Sequence, residues 1–364
     1  MLKNAIENIR KFDWVLCIAV VLLFCLGLAA IYSVSLNLPG ENFNNFNKQV
    51  VFGVIGAVFL LIFGLSNYSG LWVYSRVIFV AMVVFLILVL FFGSVVRGTK
   101  GWFLIGGLGI QPVELAKIVL IILLAKFFSN RFQQFHISKH IIVSLFMTLS
   151  LVFFVMLQPD LGSSIILLGI WFILLMLTGI NKKYIVFLLV IFLIIATIGW
   201  SFFLKDYQKE RIMVFANPQS DPLGSGYNVS QSIIAIGSGK FLGRGLGFGS
   251  QSQLKFIPET QTDFIFAVIA EELGLIGVAL VLGLWSVIFY RLILIAKKAR
   301  DDFGLFLVLG IIALLFLHLF INIGMNIGVM PVMGISLPFL SYGGSFLIVC
   351  AILIGIAESV AVRK

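Results

Sequence analysis

The sequence predicts an all-α polytopic membrane protein with about ten transmembrane helices and both termini in the cytoplasm. Three observations carry that expectation. Hydrophobic residues make up 61% of the 364 and charged residues only 11%, whereas a soluble domain carries about a quarter charged residues. Apolar runs of spanning length recur along the whole chain. The basic residues cluster beside the ends of those runs and on one side of them. The formal charge of +10 therefore reads as loop lysines and arginines facing one membrane surface, and no nucleic-acid partner is expected.

The apolar segments fall at 14–35, 46–66, 72–92, 112–128, 141–157, 161–178, 184–204, 262–290, 303–322 and 345–360. The first follows Lys3, Arg10 and Lys11. It has the length of a retained span rather than of a cleaved signal core. The fifth and sixth are separated only by Gln158-Pro159-Asp160, which predicts a tight hairpin. The eighth is long, and Gly274, Gly277 and Gly283 give it places to bend. With the N-terminus inside, 14 of the 25 Lys and Arg face the cytoplasm, among them Lys126, Lys182, Lys183, Arg291, Lys297, Lys298 and Arg300. The short outer loops hold few, chiefly Lys48, Arg97 and Lys100. Cys17, Cys25 and Cys350 lie within apolar runs and read as small hydrophobes.

The chain reads as one integral membrane domain, 1–364, with two outer regions that break the pattern of short connections. The longer, about 205–261, is neither charge-rich nor repetitive, and loops of that length are usually functional. It contains a stretch at Val229–Ile236 suited to an interfacial helix, then glycines at 237, 239, 243, 245, 247 and 249. Gly237-Ser238-Gly239-Lys240 resembles the end of a phosphate loop, but Ile234 and Phe241 stand where that motif needs Gly and Ser or Thr. The second region, about 322–345, is apolar yet crowded with Gly, Pro and Asn, and reads as a re-entrant or rim segment closing a cavity. Asn322 and Asn326 share a helical face there.

Carboxylates at the membrane rim are costly unless paired or wet. Glu114 and Lys117, three apart, suit a structural bridge or a functional pair. Asp160 follows Pro159 at a hairpin tip and suits a helix cap. With Thr260 or Thr262 as the cap of the eighth helix, Asp263 falls in or near its first turn, where the helix dipole favours its ionised form. Ala267, Ala270, Gly274 and Gly277 project in nearly the same direction, leaving room for a close helix neighbour or a lipid-like chain. From the residues alone, Asp263 fits a catalytic base, a helix cap, or an ion or partner site. Glu259 is the nearest other outer carboxylate. Glu271 and Glu272 lie farther along, point about 100° apart, and read as structural or polar-network residues.

The motifs Gln111-Pro112-Val113-Glu114-Leu115-Ala116-Lys117, Gln158-Pro159-Asp160-Leu161-Gly162, Gly226-Tyr227-Asn228, Pro258-Glu259, Thr262-Asp263-Phe264-Ile265-Phe266, Asn322-Ile323-Gly324-Met325 and Ser341-Tyr342-Gly343-Gly344-Ser345 stand in order along the chain. Together they resemble the SEDS family of peptidoglycan glycosyltransferases, the rod-shape, cell-division and sporulation group. Asp221-Pro222-Leu223-Gly224 and Gln251-Ser252-Gln253-Leu254 look more like the rod-elongation RodA branch than the division FtsW branch. The resemblance implies polymerisation of lipid II into β-1,4 glycan on the outer face of the bacterial cytoplasmic membrane, beside a class B penicillin-binding protein and other wall-synthesis partners. It implies that Asp263 is the catalytic base. Lys117, Arg211 and Arg244, with Lys100 and Arg97, are then the candidates to neutralise the pyrophosphate of the undecaprenyl-linked glycan. Glu114, Asp160, Glu259, Glu271, Glu272, Asn322, Asn326 and Ser341 would give polar support. No tightly bound cofactor is expected; Mg2+ or Mn2+ would be the cation to assist, with no metal ligands assigned. The chain departs from the family pattern at Gly101, where Arg usually precedes the Trp, at Val113 and at Phe346, where Ser is usual. Arg97 or Lys100 would have to supply the charge missing at Gly101. The alternatives are a lipid II flippase, another transporter, or a non-enzymatic scaffold. A transporter would place its charges near mid-membrane on broken helices.

Sidedness is directly testable. Reporter fusions at residues 134 and 300 should read cytoplasmic and one at 220 external; a cytoplasmic signal at 220 would overturn the orientation.

Overall fold

A computed structural model describes residues 7–36, 43–96, 98–105, 108–130, 137–202, 206–217, 225–254 and 256–363. Each predicted apolar segment is covered by a helix: α1 (Trp14–Leu36), α2 (Asn44–Leu65), α3 (Ser69–Phe92), α4 (Pro112–Ser129), α5 (Ile137–Leu157), α6 (Leu161–Leu177), α7 (Lys182–Phe202), α11 (Ile265–Lys297), α12 (Asp302–Asn326) and α13 (Gly344–Val362). Among the described residues, α1, α2, α3, α5, α11, α12 and α13 are long and apolar enough to cross a membrane by themselves. Helix α4 carries Glu114, Lys117 and Lys126, and α6 has 17 residues. Both are walled in by neighbouring helices, so their polar groups meet protein rather than lipid. The chain is a mostly helical, multi-pass membrane protein.

Among the described residues, a departure from an all-α fold lies between α3 and α4. There β1 (Ser94–Val96), β2 (Thr99–Ile105) and β3 (Leu108–Ile110) pair antiparallel as a meander in the order β1-β2-β3. Val95, Val96, Thr99, Trp102 and Phe103 are the β-branched and aromatic residues that suit a half-buried pleat.

Among its described residues the long loop supplies three further helices, α8 (Asp206–Ala216), α9 (Ser225–Ser238) and α10 (Ser250–Gln253). The predicted Val229–Ile236 helix is the middle of α9, and the phosphate-loop lookalike is only its C-terminal end. The second irregular region begins later than the sequence suggests. Asn322 and Asn326 still belong to α12, and the non-helical connector runs from 327 to 343.

The end of the bundle that holds residues 13, 65 and 297 is tied by polar contacts. Arg291 grips Asp13 through Nε at 2.8 Å and Nη2 at 2.7 Å. The Asp13 N–H donates to Glu358 at 2.8 Å. Tyr68 donates to Asp301 at 3.1 Å. Burial first, then the Asp301 charge, push that phenol up to about 12.

Helix α11 starts at Ile265, later than the expected 262, and is broken once, at Gly274 (φ 63°, ψ −158°). The break exchanges hydrogen bonds with the Gly-rich turn of the long loop. Leu275 N–H donates to Lys240 O at 2.9 Å, while Glu271 O accepts from Arg244 N–H at 3.0 Å. Ile276 N–H donates to Phe241 O at 3.3 Å, and Glu272 O accepts from Gly245 N–H at 2.9 Å. Four backbone groups that a kink would strand in an apolar bundle are thereby satisfied. The small-residue stripe of α11 has its close neighbour here. A Cβ on Gly239 would overlap the Ala270 carbonyl, and one on Gly274 would overlap Gly243 N and stand 2.7 Å from Phe241 O.

Gly274→Ala should therefore fail twice, on backbone conformation and on space. The conformation alone costs about 1–3 kcal/mol for a residue with a Cβ. A clear loss of thermal stability in detergent is expected, whereas Gly283→Ala, which meets open space, should melt like the parent.

Candidate active site

The residues that precede α11 form a turn whose carbonyls are fixed one after another. Gln261 O accepts from Tyr342 N–H at 2.7 Å. Thr262 O accepts from Ser341 Oγ at 2.5 Å. Asp263 O accepts from Asn322 Nδ2 at 3.1 Å and Asn326 Nδ2 at 3.0 Å. Asn322 also donates to Ile335 O at 2.7 Å, and Asn326 Oδ1 accepts from Ala267 N–H at 3.3 Å. The shared helical face of the two asparagines is thus the clamp that holds this turn. Asp263 is not in the first helical turn: α11 has Phe264 at its N-cap position with no side-chain cap, so Thr260 and Thr262 do not play that part. The connector's Gly334 lies against its carboxylate, where an added Cβ would be 3.7 Å from Oδ2.

Asp263 lines a cavity of about 390 Å3 at this end of the bundle. Helix α4 contributes Glu114 and Lys117 to it. Pro112 opens that helix at a position where its missing N–H costs nothing, and three residues of helix bring Lys117 Nζ to 2.7 Å from Glu114 Oε1. Lys117 is 1% exposed. A buried charge of this kind persists only with such a partner. Helix α6 brings Asp160, whose carboxylate caps it by accepting from Ser163 N–H at 2.9 Å and Ser163 Oγ at 2.8 Å. Helix α8 brings Gln208 and Arg211, the sheet brings Trp102, and the connector brings Tyr342. Burial pushes the Tyr342 phenol up, which keeps it a neutral donor.

The site also contains a residue the sequence analysis did not single out. His318 lines the cavity, with Nε2 3.2 Å from Lys117 Nζ and Nδ1 3.0 Å from Ser336 O. The signal was present in the spacing: His318, Asn322 and Asn326 are polar residues four apart in a helix that is apolar from Phe303 up to them.

Other expected residues lie elsewhere. Lys100, paired with Val95 in the meander, turns its Nζ to Phe91 O at 3.5 Å. The Arg244 side chain donates to Ser250 Oγ at 3.1 Å, within the Gly-rich loop. Neither lines the cavity. Arg97 lies outside the described residues. Glu259 is exposed and accepts from Thr262 Oγ1 at 2.9 Å, outside the cavity wall. Glu271 caps α10, accepting from Gln251 N–H at 2.8 Å and Ser252 N–H at 3.0 Å. Glu272 accepts from Ser33 Oγ at 2.5 Å and Gln253 Nε2 at 2.9 Å. Among the described residues no three His, Cys, Asp or Glu side chains converge as a group that could hold a metal ion.

This geometry sets three carboxylates, Glu114, Asp160 and Asp263, and the basic side chains of Lys117 and Arg211 around one partly enclosed space with a Trp ring in its wall. Such a site can accept a proton and bind an anion while excluding most water.

The FtsW/RodA/SpoVE family model, described as cell cycle protein, matches residues 13–364. The chain is 38% identical to peptidoglycan glycosyltransferase MrdB of Escherichia coli K12 over 87% of its own length and 84% of the relative's. It is 32% identical to the probable peptidoglycan glycosyltransferase FtsW of Geobacter metallireducens over 99% and 97% of the two chains. A solved chain from a peptidoglycan synthase complex that coordinates polymerization and crosslinking superposes with a TM-score of 0.79 at 29% identity, covering 96% of this chain and 97% of that one. With its helical bundle, its clamped Asp263 turn and these relatives on nearly its whole length, the chain belongs to the FtsW/RodA/SpoVE family of cell cycle proteins.

Proposed function

We propose that this protein is a peptidoglycan glycosyltransferase that polymerises lipid II into β-1,4 glycan strands for cell shape or division. The observation that carries the reading is the single cavity shared by Asp263, Lys117 and Arg211 in a chain whose relatives bear that activity in their names. The ten helices cross the bacterial cytoplasmic membrane with both termini inside, and the cavity opens to the outer face. The glycan carriers' polyprenyl tails lie between helices in the outer leaflet. The crosslinking partner is a class B penicillin-binding protein, in keeping with the complex to which the solved relative belongs. The higher identity to MrdB favours the rod-elongation branch.

In the reaction, the 4-hydroxyl of one lipid-linked disaccharide attacks the anomeric carbon of the growing chain. Asp263 takes the hydroxyl proton as the new C–O bond forms. The anomeric C–O bond to pyrophosphate breaks on the opposite face, and its electron pair leaves on the phosphate oxygen. An α-linked donor thus yields a β-linked product by one inversion. Lys117 and Arg211 stabilise the charge that develops on the pyrophosphate. A divalent cation travelling with the pyrophosphate would add to that charge neutralisation.

The flippase alternative finds one supporting feature, the broken helix α11 with Glu271 and Glu272 beside its break. Those carboxylates, however, accept hydrogen bonds from the Gly-rich loop and α10 rather than facing the cavity.

Asp263→Asn keeps the shape of the side chain and removes its basicity. Lipid II polymerisation by the purified variant should fall roughly 10²–10⁴-fold with thermal stability kept; a near-normal rate would sink the assignment. For Lys117, substitution by Met alone strands the buried Glu114 charge, at a cost of about 3–5 kcal/mol. The paired change Lys117→Met with Glu114→Gln should recover folded yield without recovering turnover. Recovery of both would make the pair purely structural.

A further inference from the structure

We infer that His318 is a positioning residue that aims the Lys117 ammonium into the cavity and ties it to the wall that holds Asp263. The inference rests on the reading of Lys117 as the leaving-group cation and goes beyond it.

The hydrogen-bond roles follow from the partners. Ser336 O is a carbonyl and can only accept, so His318 Nδ1 carries the hydrogen of that 3.0 Å contact. In the neutral ring Nε2 is then a lone pair, and it accepts from Lys117 Nζ at 3.2 Å. Glu114 Oε1 takes a second ammonium hydrogen at 2.7 Å. Of the three N–H groups on Lys117, one remains for a group in the cavity that Lys117 lines. The imidazole plane is itself fixed: Phe346 stacks on it with centroids 4.5 Å apart and planes 21° apart. The same ring lies 5.7 Å from Lys117 Nζ. Phe346 is thus a platform for the imidazole in this chain.

The chain of contacts also joins the two halves of the site. His318 holds Ser336 O, and one helical turn farther Asn322 holds Ile335 O and Asp263 O. One face of α12 therefore sets both the cation on α4 and the carboxylate before α11. Because His318 touches Lys117 rather than the reacting atoms, its loss should lower turnover through Lys117. A charge-assisted hydrogen bond contributes about 1.5–3 kcal/mol.

The test is a double-mutant cycle in lipid II polymerisation by detergent-purified protein. His318→Phe keeps a ring against Phe346 but has no acceptor for Lys117. Its kcat should fall roughly 10–100-fold, the kinetic equivalent of one charge-assisted bond, with KM little changed, since the charge develops in the transition state. His318→Gln, whose amide can accept from Lys117 and donate to Ser336, should restore most of the rate; His318→Asn, one methylene shorter, should not. In the Lys117→Met, Glu114→Gln background, His318→Phe should cost nothing more. Wild-type kcat in His318→Phe, beside a Lys117 double variant that has lost turnover, overturns this inference alone. An additive loss in the double background, or equal rates for His318→Gln and His318→Asn, overturns it as well, and the Gln and Asn pair decides the matter if His318→Phe does not fold. Full activity of the Lys117 double variant instead overturns the reading of Lys117 and, with it, this inference.

Discussion

Three successive backbone carbonyls, at Gln261, Thr262 and Asp263, accept hydrogen bonds from Tyr342, from Ser341, and from Asn322 and Asn326 together. A turn placed at the end of an apolar helix bundle must satisfy its polar groups within the protein. Here the solution also fixes the site. The donors come from α12 and from the connector that follows it, so the turn, the connector and the helix cannot move independently. Asp263 inherits its place from these backbone contacts and lines the cavity.

The same constraint explains the break in α11. Gly274 adopts a conformation closed to residues with a Cβ, and the carbonyls and N–H groups released there are taken up by the turn at 240–245. The carboxylates of Glu271 and Glu272 then gather the N–H and side-chain donors of residues 247–253. The Gly-rich loop is therefore built against the first turns of α11, and its glycines permit the close approach.

Electrostatics divides the cavity between its walls. Glu114 is committed to Lys117, and Asp160 to the N-terminus of α6. Asp263 holds its wall through its backbone and carries the carboxylate that the family motif places there. In the proposed reaction, a base and a cation on separate elements would serve opposite sides of one reacting centre, the attacking hydroxyl and the departing phosphate.

Much of this was legible in the sequence. Helix extents followed from apolar runs and charge placement, because lipid imposes a length and a polarity on each element separately. The Glu114–Lys117 pair, the Asp160 cap and the shared face of Asn322 and Asn326 followed from helical spacing, which is local geometry. What the sequence could not decide was which cation shares the cavity with Asp263. Arg211 on α8 lines it while Lys100 on β2 and Arg244 in the Gly-rich loop do not, although all three fall between the long apolar helices. Nor did it decide the meander, the hydrogen-bond exchange at Gly274, or the pairing of His318 with Lys117 across 201 residues. Local periodicity fixes which face a residue occupies on its own helix. The partner on the facing element depends on how two helices register in space, and only the assembled bundle sets that register.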